Sequence, residues 1–379
     1  MLANDEFQHP PSNRLRLLRR SWKALARKID PGSTRVSRRL RTLYWISSGV
    51  HSTMHHIQEQ AIADQLQETE PPAPLFVLGF WRSGTTLLHE LLACDVRFGF
   101  PSTYACLNPA HFILSERWIQ SRGKPQVRRP MDDLRYSWES PQEDEFALLA
   151  LGAPSAYEAL IFPSLMRNAD QLLNLQARPQ VDQDLWYATF EYFLKLLTIQ
   201  QGKAMILKSP THGYRLPILQ HRIPKARYVL IVRNPYEVFA SNLKLWTTLI
   251  ARYGLETYSK SALEEFVLNA YVLHEKIVSE ATPRLTPGSI AEIRYEDLVS
   301  SPIEQMSRVY STIGLGDFET VRPRMEAYLA KTSGHRRNRL QFSKTQRVQV
   351  ERAWGNIIRE KGYSWMDCSV ALSEEAMAR

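Results

Sequence analysis

The stretch LFVLGFWRSGTT, residues 75–86, decides the fold. Its first six residues form a short apolar run behind Pro71, Pro72 and Pro74, and they read as a strand buried on both faces. The residues that follow, TLLHELLA at 86–93, read as a helix. A strand passing into a helix through a glycine-bounded loop is the setting of an anion cradle. Glycines let backbone N–H groups point inward, and the positive end of the helix faces the same anion. The loop at residues 79–86 has the spacing of the ATP-binding motif G-x-x-x-x-G-K-[ST], with Thr85 in place of the lysine that reaches terminal phosphates. That departure argues against ATP or GTP. It favours an anion with fewer phosphates and no obligatory magnesium.

Outward from this loop, AMIL (204–207), RYVLIV (227–232) and SIAEIR (289–294) read as further strands. Helical patterns follow them from about Tyr214, from Pro235, over 261–281 and from Pro302. Near-continuous apolar strands alternating with helices imply a parallel sheet covered on both faces. The expected fold is therefore α/β: a P-loop-like domain over residues 71–379 with a central parallel sheet flanked by helices. A proline-rich, helical or irregular insertion at about 100–200 is expected to line an acceptor pocket, with residues 240–265 as a lid. Residues 1–70 read as an N-terminal helical arm, with a disordered lead over 1–13 and a break at Asp30, Pro31 and Gly32. The arm's first helix, RLRLLRRSWKALARK, is basic and amphipathic. It can pack on its own domain or lie on anionic lipid.

The chain has 379 residues, 44% of them hydrophobic, which excludes a disordered protein. Its net charge of +9 fits an anionic ligand, an acidic surface or simple solubility. No aromatic-and-basic stripe supports a nucleic-acid partner. Three cysteines, Cys94, Cys106 and Cys368, fit a reducing compartment, and no Cys/His cluster has zinc spacing, so no metal is expected. No apolar run approaches the roughly 20 residues of a membrane-crossing helix. The polar, acidic start is unlike a signal peptide. A cytoplasmic enzyme, with possible peripheral contact to a membrane, is the expectation.

A second signal is RYVLIVRNPYEVFAS, residues 227–241. Arg233 ends a buried strand, while Asn234 and Pro235 start a helix as N-cap and first helical residue. Ser241 lies two turns into that helix and can face Arg233, so that the pair grips one phosphate. Lys208 and His212, in LKSPTH, leave a strand at its carboxyl end, where active-site crevices of open sheets lie. Group transfer to a hydroxyl needs a cation near the leaving oxygen and a base for the acceptor. Arg82 is a candidate for the first and His212 for the second. The acids in PQEDEF (141–146) read as dipole-stabilising surface residues at a helix start.

The string WRSGTT together with the R-[ND]-P…S pattern resembles the sulfotransferases that use 3′-phosphoadenosine 5′-phosphosulfate (PAPS), in their bacterial and tyrosylprotein branches. The resemblance spans roughly residues 74–95 and 203–315. It implies transfer of a sulfuryl group to a hydroxyl of a small-molecule or lipid-like acceptor, leaving adenosine 3′,5′-bisphosphate. It assigns Arg82, Ser83, Gly84, Thr85 and Thr86 to the 5′-phosphate region and Arg233 and Ser241 to the 3′-phosphate. Tyr295, in YEDLVSSP, is assigned to the adenine, with Glu296 or Asp297 left to cap the next helix. Lys208 matches the lysine that contacts the transferred group, and Arg336, Arg337 or Arg339 the basic segment closing the donor site. Cytosolic relatives carry their base as K-T-H; here the histidine comes two residues later. Tyrosylprotein relatives use a glutamate after the first helix, where RFGFPSTYA (97–105) has no carboxylate. Bacterial members also carry Pro-x-Glu-Asp-Glu, and that resemblance makes Glu143 and Glu145 alternative bases. Rival readings are a nucleotide kinase of related topology and a catalytically inactive nucleotide-binding adaptor.

Overall fold

The structure is a computed structural model and describes residues 15–28, 38–122, 127–128, 135–332, 341–367 and 371–372. The expected lead over 1–13, the break at Asp30, Pro31 and Gly32, and Arg336, Arg337 and Arg339 lie outside the described residues.

Five strands, β1 (Leu75–Leu78), β2 (Phe98–Gly99), β3 (Ala204–Lys208), β4 (Arg227–Val232) and β5 (Ile290–Arg294), form one sheet in the order β2-β3-β1-β4-β5. Every pairing in it is parallel. Phe76, Leu78, Met205, Leu207, Tyr228 and Leu230 enter one buried cluster, and Leu75, Val77, Ile206, Val229 and Ile231 the other. Burial on both faces is why these strands read as unbroken apolar runs. The two-residue β2 carries no such run and was not expected.

The principal helices are α1 (Arg19–Ala26), α2 (Arg38–Ala61), α3 (Thr85–Leu92), α4 (Glu145–Leu151), α5 (Gln180–Gln201), α6 (Pro235–Tyr253), α7 (Lys260–Ala281), α8 (Pro302–Ile313) and α9 (Lys344–Glu360). Helices α3 and α8 cover one face of the sheet; α4 and α5 belong to the cluster on the other. The arm packs onto the body: Leu15, Leu17, Trp22, Leu25 and Tyr44 share a buried cluster with Phe80, Trp81 and Tyr157. The stretch expected as a lid is instead core, because Leu245, Trp246, Ile250 and Leu255 are buried in that cluster. The helix expected from Tyr214 is a 3-10 turn, Pro210–Arg215, running into the helix Leu216–Arg222.

The insertion is bolted to the sheet by charge. Lys208 Nζ lies 2.8 Å from Glu143 Oε1, His212 Nε2 2.9 Å from Asp144, and Arg215 Nη2 2.8 Å from Glu145 Oε1. The surface reading of these acids is thereby corrected, since Asp144 and Glu145 are fully buried. The bases lie four and three residues apart on the segment leaving β3, so they meet three consecutive acids. Burial alone would raise the Glu145 pKa. The Arg215 guanidinium, helped by Ser155 and Thr211, overrides this and holds it below the ordinary carboxylate value.

Removing one partner of a buried pair strands a charge. Arg215→Met should therefore cost about 3–5 kcal/mol of unfolding free energy in urea titration. The Arg215→Met, Glu145→Met double variant should lie nearer the parent than the single change does.

Candidate active site

Parallel pairing lines up the carboxyl ends of four strands. Val77 sits opposite Lys208, Leu78 opposite Leu230, and Val232 opposite Arg294. Gly79, Lys208, Arg233 and Tyr295 therefore leave the sheet side by side. The sheet grows outward from β1 in both directions, which opens a crevice at these strand ends.

Within the loop, Gly84 has φ +104, and a Cβ there would stand 2.3 Å from Cδ2 of the Tyr295 ring. Only glycine fits. Arg82 has φ 70, a conformation that side chains other than glycine rarely adopt. Two contacts hold it: its carbonyl accepts from Arg233 Nη1 at 3.0 Å, and its Nε donates to Ser241 Oγ at 2.8 Å. The Ser83 hydroxyl is buried without a hydrogen-bond partner among the described residues. A buried orphan hydroxyl is costly unless a ligand satisfies it, which fits an anion in this cradle. The start of α3 adds unpaired N–H groups and the positive end of its dipole.

Arg233 stacks on the Tyr295 ring, with its guanidinium carbon 4.2 Å from the centroid. Its Nε reaches Glu237 Oε2 at 3.0 Å, one turn along α6. Asn234 caps α6, its Oδ1 accepting from Tyr236 N at 3.1 Å. The expected capping role of Glu296 is corrected: its carboxylate accepts from Asn234 N at 3.0 Å and from Tyr363 OH at 2.9 Å. Thus Arg82, Arg233, Ser241 and Tyr295, far apart in the chain, form one contiguous group above Gly84. Glu237 was missed by sequence reasoning, although its four-residue spacing from Arg233 was available.

Beside this group lies a polar relay. Lys208, 2% exposed, donates to Glu143 Oε1. The other oxygen of Glu143 accepts from Tyr157 OH, and Tyr157 OH in turn accepts from Trp81 Nε1 at 3.2 Å. Burial, and then the Glu143 charge, push the Tyr157 phenol well above its ordinary value, so it stays a donor. Tyr157 has no motif and nothing in the sequence singled it out, and Trp81, although it opens the string WRSGTT, was given no role of its own. His212 and Glu145 are not brought to the crevice. His212 is fully buried on Asp144, with its ring edge-on to Phe76 at 5.1 Å. Glu145 is sealed against Arg215. Glu143 is the carboxylate of the triplet that meets Lys208.

The profile of the sulfotransferase family matches residues 74–319, which hold all of these groups except Tyr363. The chain is a sulfotransferase. It is 36% identical over 324 residues, 85% of this chain and 83% of the relative, to the omega-hydroxy-beta-dihydromenaquinone-9 sulfotransferases Stf3 of Mycobacterium bovis and Mycobacterium tuberculosis. The fold matches the crystal structure of sulfotransferase STF9 from Mycobacterium avium with a TM-score of 0.65, at 16% identity over 92% of this chain and 98% of that one. It matches STF1 from Mycobacterium tuberculosis with a TM-score of 0.62, at 19% identity over 89% and 92%. The kinase and inactive-adaptor readings find no support among these relatives.

Behind the loop of the sulfotransferase, α3 places His89 near Lys208. Burial, and secondarily the Lys208 charge, lower its pKa from 6.5 to about 3. The folded state holds His89 neutral, whereas the unfolded chain takes up a proton near pH 6.5. Its contribution to stability is therefore full above that pH and falls as pH drops towards 3. The slope is one proton, about 1.4 kcal/mol per pH unit. In urea titrations at a series of pH values, His89→Leu should remove that much of the slope between about pH 6 and 4.

Proposed function

We propose that this sulfotransferase draws its sulfuryl group from PAPS and places it on the hydroxyl of a lipid-like alcohol met at a membrane surface. The donor assignment is supported by the contiguous group Arg82, Ser83, Gly84, Thr85, Thr86, Arg233, Ser241 and Tyr295. The loop and the start of α3 bind the 5′-phosphosulfate end, Arg233 and Ser241 the 3′-phosphate, and Tyr295 the adenine. The lipid acceptor is supported by the relatives at 36% identity, whose name specifies a hydroxylated menaquinone.

One observation carries the chemistry: Glu143 Oε1 lies 2.8 Å from Lys208 Nζ at the end of β3, with its other oxygen held by Tyr157. PAPS supplies the sulfuryl group and the leaving phosphate. Lys208 offers its ammonium to the charge growing on the leaving oxygen. Its turning towards the donor frees Glu143 Oε1 for the acceptor hydroxyl. Glu143 then takes the hydroxyl proton as the oxygen attacks sulfur. Tyr157, a positioning residue, fixes the direction in which Glu143 presents its free oxygen. Arg82 adds a second cation at the loop.

Turnover of radiolabelled PAPS over a panel of long-chain primary alcohols tests these roles. Lys208→Ala should lower kcat by roughly 100- to 1,000-fold, and Glu143→Gln by roughly 100- to 10,000-fold, both with the Kd for adenosine 3′,5′-bisphosphate unchanged within about threefold. Tyr157→Phe should lower kcat less and shift the acid limb of its pH profile. Full activity in Glu143→Gln would return the base to another group.

A further inference from the structure

We propose that the outward face of α2 is a membrane-docking surface that sets the enzyme on an anionic bilayer with its acceptor site towards the lipid. Two independent observations meet here.

The first is the distribution of charge. Residues 14–61 hold eleven Lys or Arg against two Asp or Glu, leaving 37 of each sign in the rest of the chain. These 48 residues thus carry a net +9, while the flanking residues 1–13 and 62–70 hold five acids and no base, so that residues 1–70 sum to +4 and residues 71–379 to +5. Seven of these bases, Arg16, Arg20, Lys23, Arg27, Lys28, Arg39 and Arg41, are exposed. A basic ligand-binding enzyme would be expected to spread its excess around its crevice. Here all eleven bases of residues 1–70 are concentrated between positions 14 and 41.

The second is a stripe on α2. Tyr44, Ser48, His55 and Gln58 are buried and turn one side of the helix to the body. Ile46, Val50 and Ile57 are 51%, 57% and 45% exposed, and they follow Arg39 at spacings of seven, four and seven residues. Those spacings place all four on one helical face. Trp45, 53% exposed, stands beside the stripe with the Arg19 guanidinium 4.0 Å from its ring centroid. α2 therefore turns one side to the body and leaves a row of aliphatics exposed on the opposite side. A solvent-facing row of large aliphatics, an interfacial tryptophan and a surplus of bases together describe an interfacial helix. A protein partner would answer the apolar row alone. An anionic lipid surface answers the row and the charge.

The arm also leads to the site. Lys28, just past the end of α1, pairs with Glu158, the neighbour of Tyr157 in the relay to Glu143. This inference rests on the lipid acceptor proposed above only for its purpose; the docking itself needs no turnover.

The test is co-sedimentation of the full chain with phosphatidylcholine vesicles, with and without phosphatidylglycerol. Binding is expected only with the anionic lipid, weakening as salt is raised. Lys23→Glu with Arg27→Glu should weaken it by roughly fivefold or more for each reversed charge. Val50→Glu with Ile57→Glu, both exposed sites, should abolish it. In every variant, calorimetric binding of adenosine 3′,5′-bisphosphate should stay unchanged, which reports folding and the donor site separately. Equal binding to neutral vesicles, or undiminished binding by the Val50→Glu, Ile57→Glu variant, would overturn the proposal. So would a dimer in sedimentation velocity that this variant dissolves, because the face would then belong to a second copy. Loss of bisphosphate binding in the parent protein would count against the donor reading and leave the docking result standing.

Discussion

Three consecutive acids, Glu143, Asp144 and Glu145, meet Lys208, His212 and Arg215 on the segment leaving β3, and the working geometry of the enzyme depends on that contact. Two of the three pairs are fully buried. A buried ion pair is an expensive way to join two pieces of chain. What it secures here is register: a shift of one residue along either segment would strand at least one charge. The innermost pairs lock the insertion to the sheet. The outermost, Glu143 with Lys208, is thereby left at the crevice, where its two members can act on opposite sides of one reaction.

On the function proposed above, the donor half and the acceptor half are built differently. The donor half is a property of the sheet: parallel register sets Gly79, Lys208, Arg233 and Tyr295 at one edge, and close backbone packing, as between Gly84 and Tyr295, fixes their spacing. The acceptor half is assembled from the insertion and the arm, through Trp81, Tyr157 and the cluster that takes in Trp22 and Tyr44. That division lets acceptor preference vary with the insertion while the donor machinery stays on the sheet.

The grouping of Arg82, Arg233, Ser241 and Tyr295 was legible in the sequence because its determinants are local. The apolar runs of β1, β3 and β4 lie between turn signals, and the loop and the Arg233–Ser241 spacing lie within single strand-to-helix units. The strand β2 is too short to leave a pattern. The catalytic half was less legible because one partner of each contact lies in a segment without a strand-to-helix motif, as Tyr157 with Trp81. Acids at a helix start ordinarily face water, and only the position of β3 turns these three inward. His212 drew attention by its proximity to Lys208. Pro210, however, starts a 3-10 turn, with Ser209 accepting from Thr211 N, and His212 ends beneath β1 against Phe76 and not in the crevice. A histidine near a motif and a histidine in a site look alike until the turn between them is known.

The central claim is that one site, made of the loop and the Arg233–Ser241 pair, recognises a nucleotide carrying a 3′-phosphate. Calorimetric titration of adenosine 3′,5′-bisphosphate against ATP with magnesium, on the parent protein and on Arg233→Ala, tests it most directly. The account predicts tight binding of the bisphosphate, little or no binding of ATP, and a loss of at least tenfold for the bisphosphate in Arg233→Ala. Preferential binding of ATP with magnesium, or an Arg233→Ala variant that binds the bisphosphate like the parent, would contradict it.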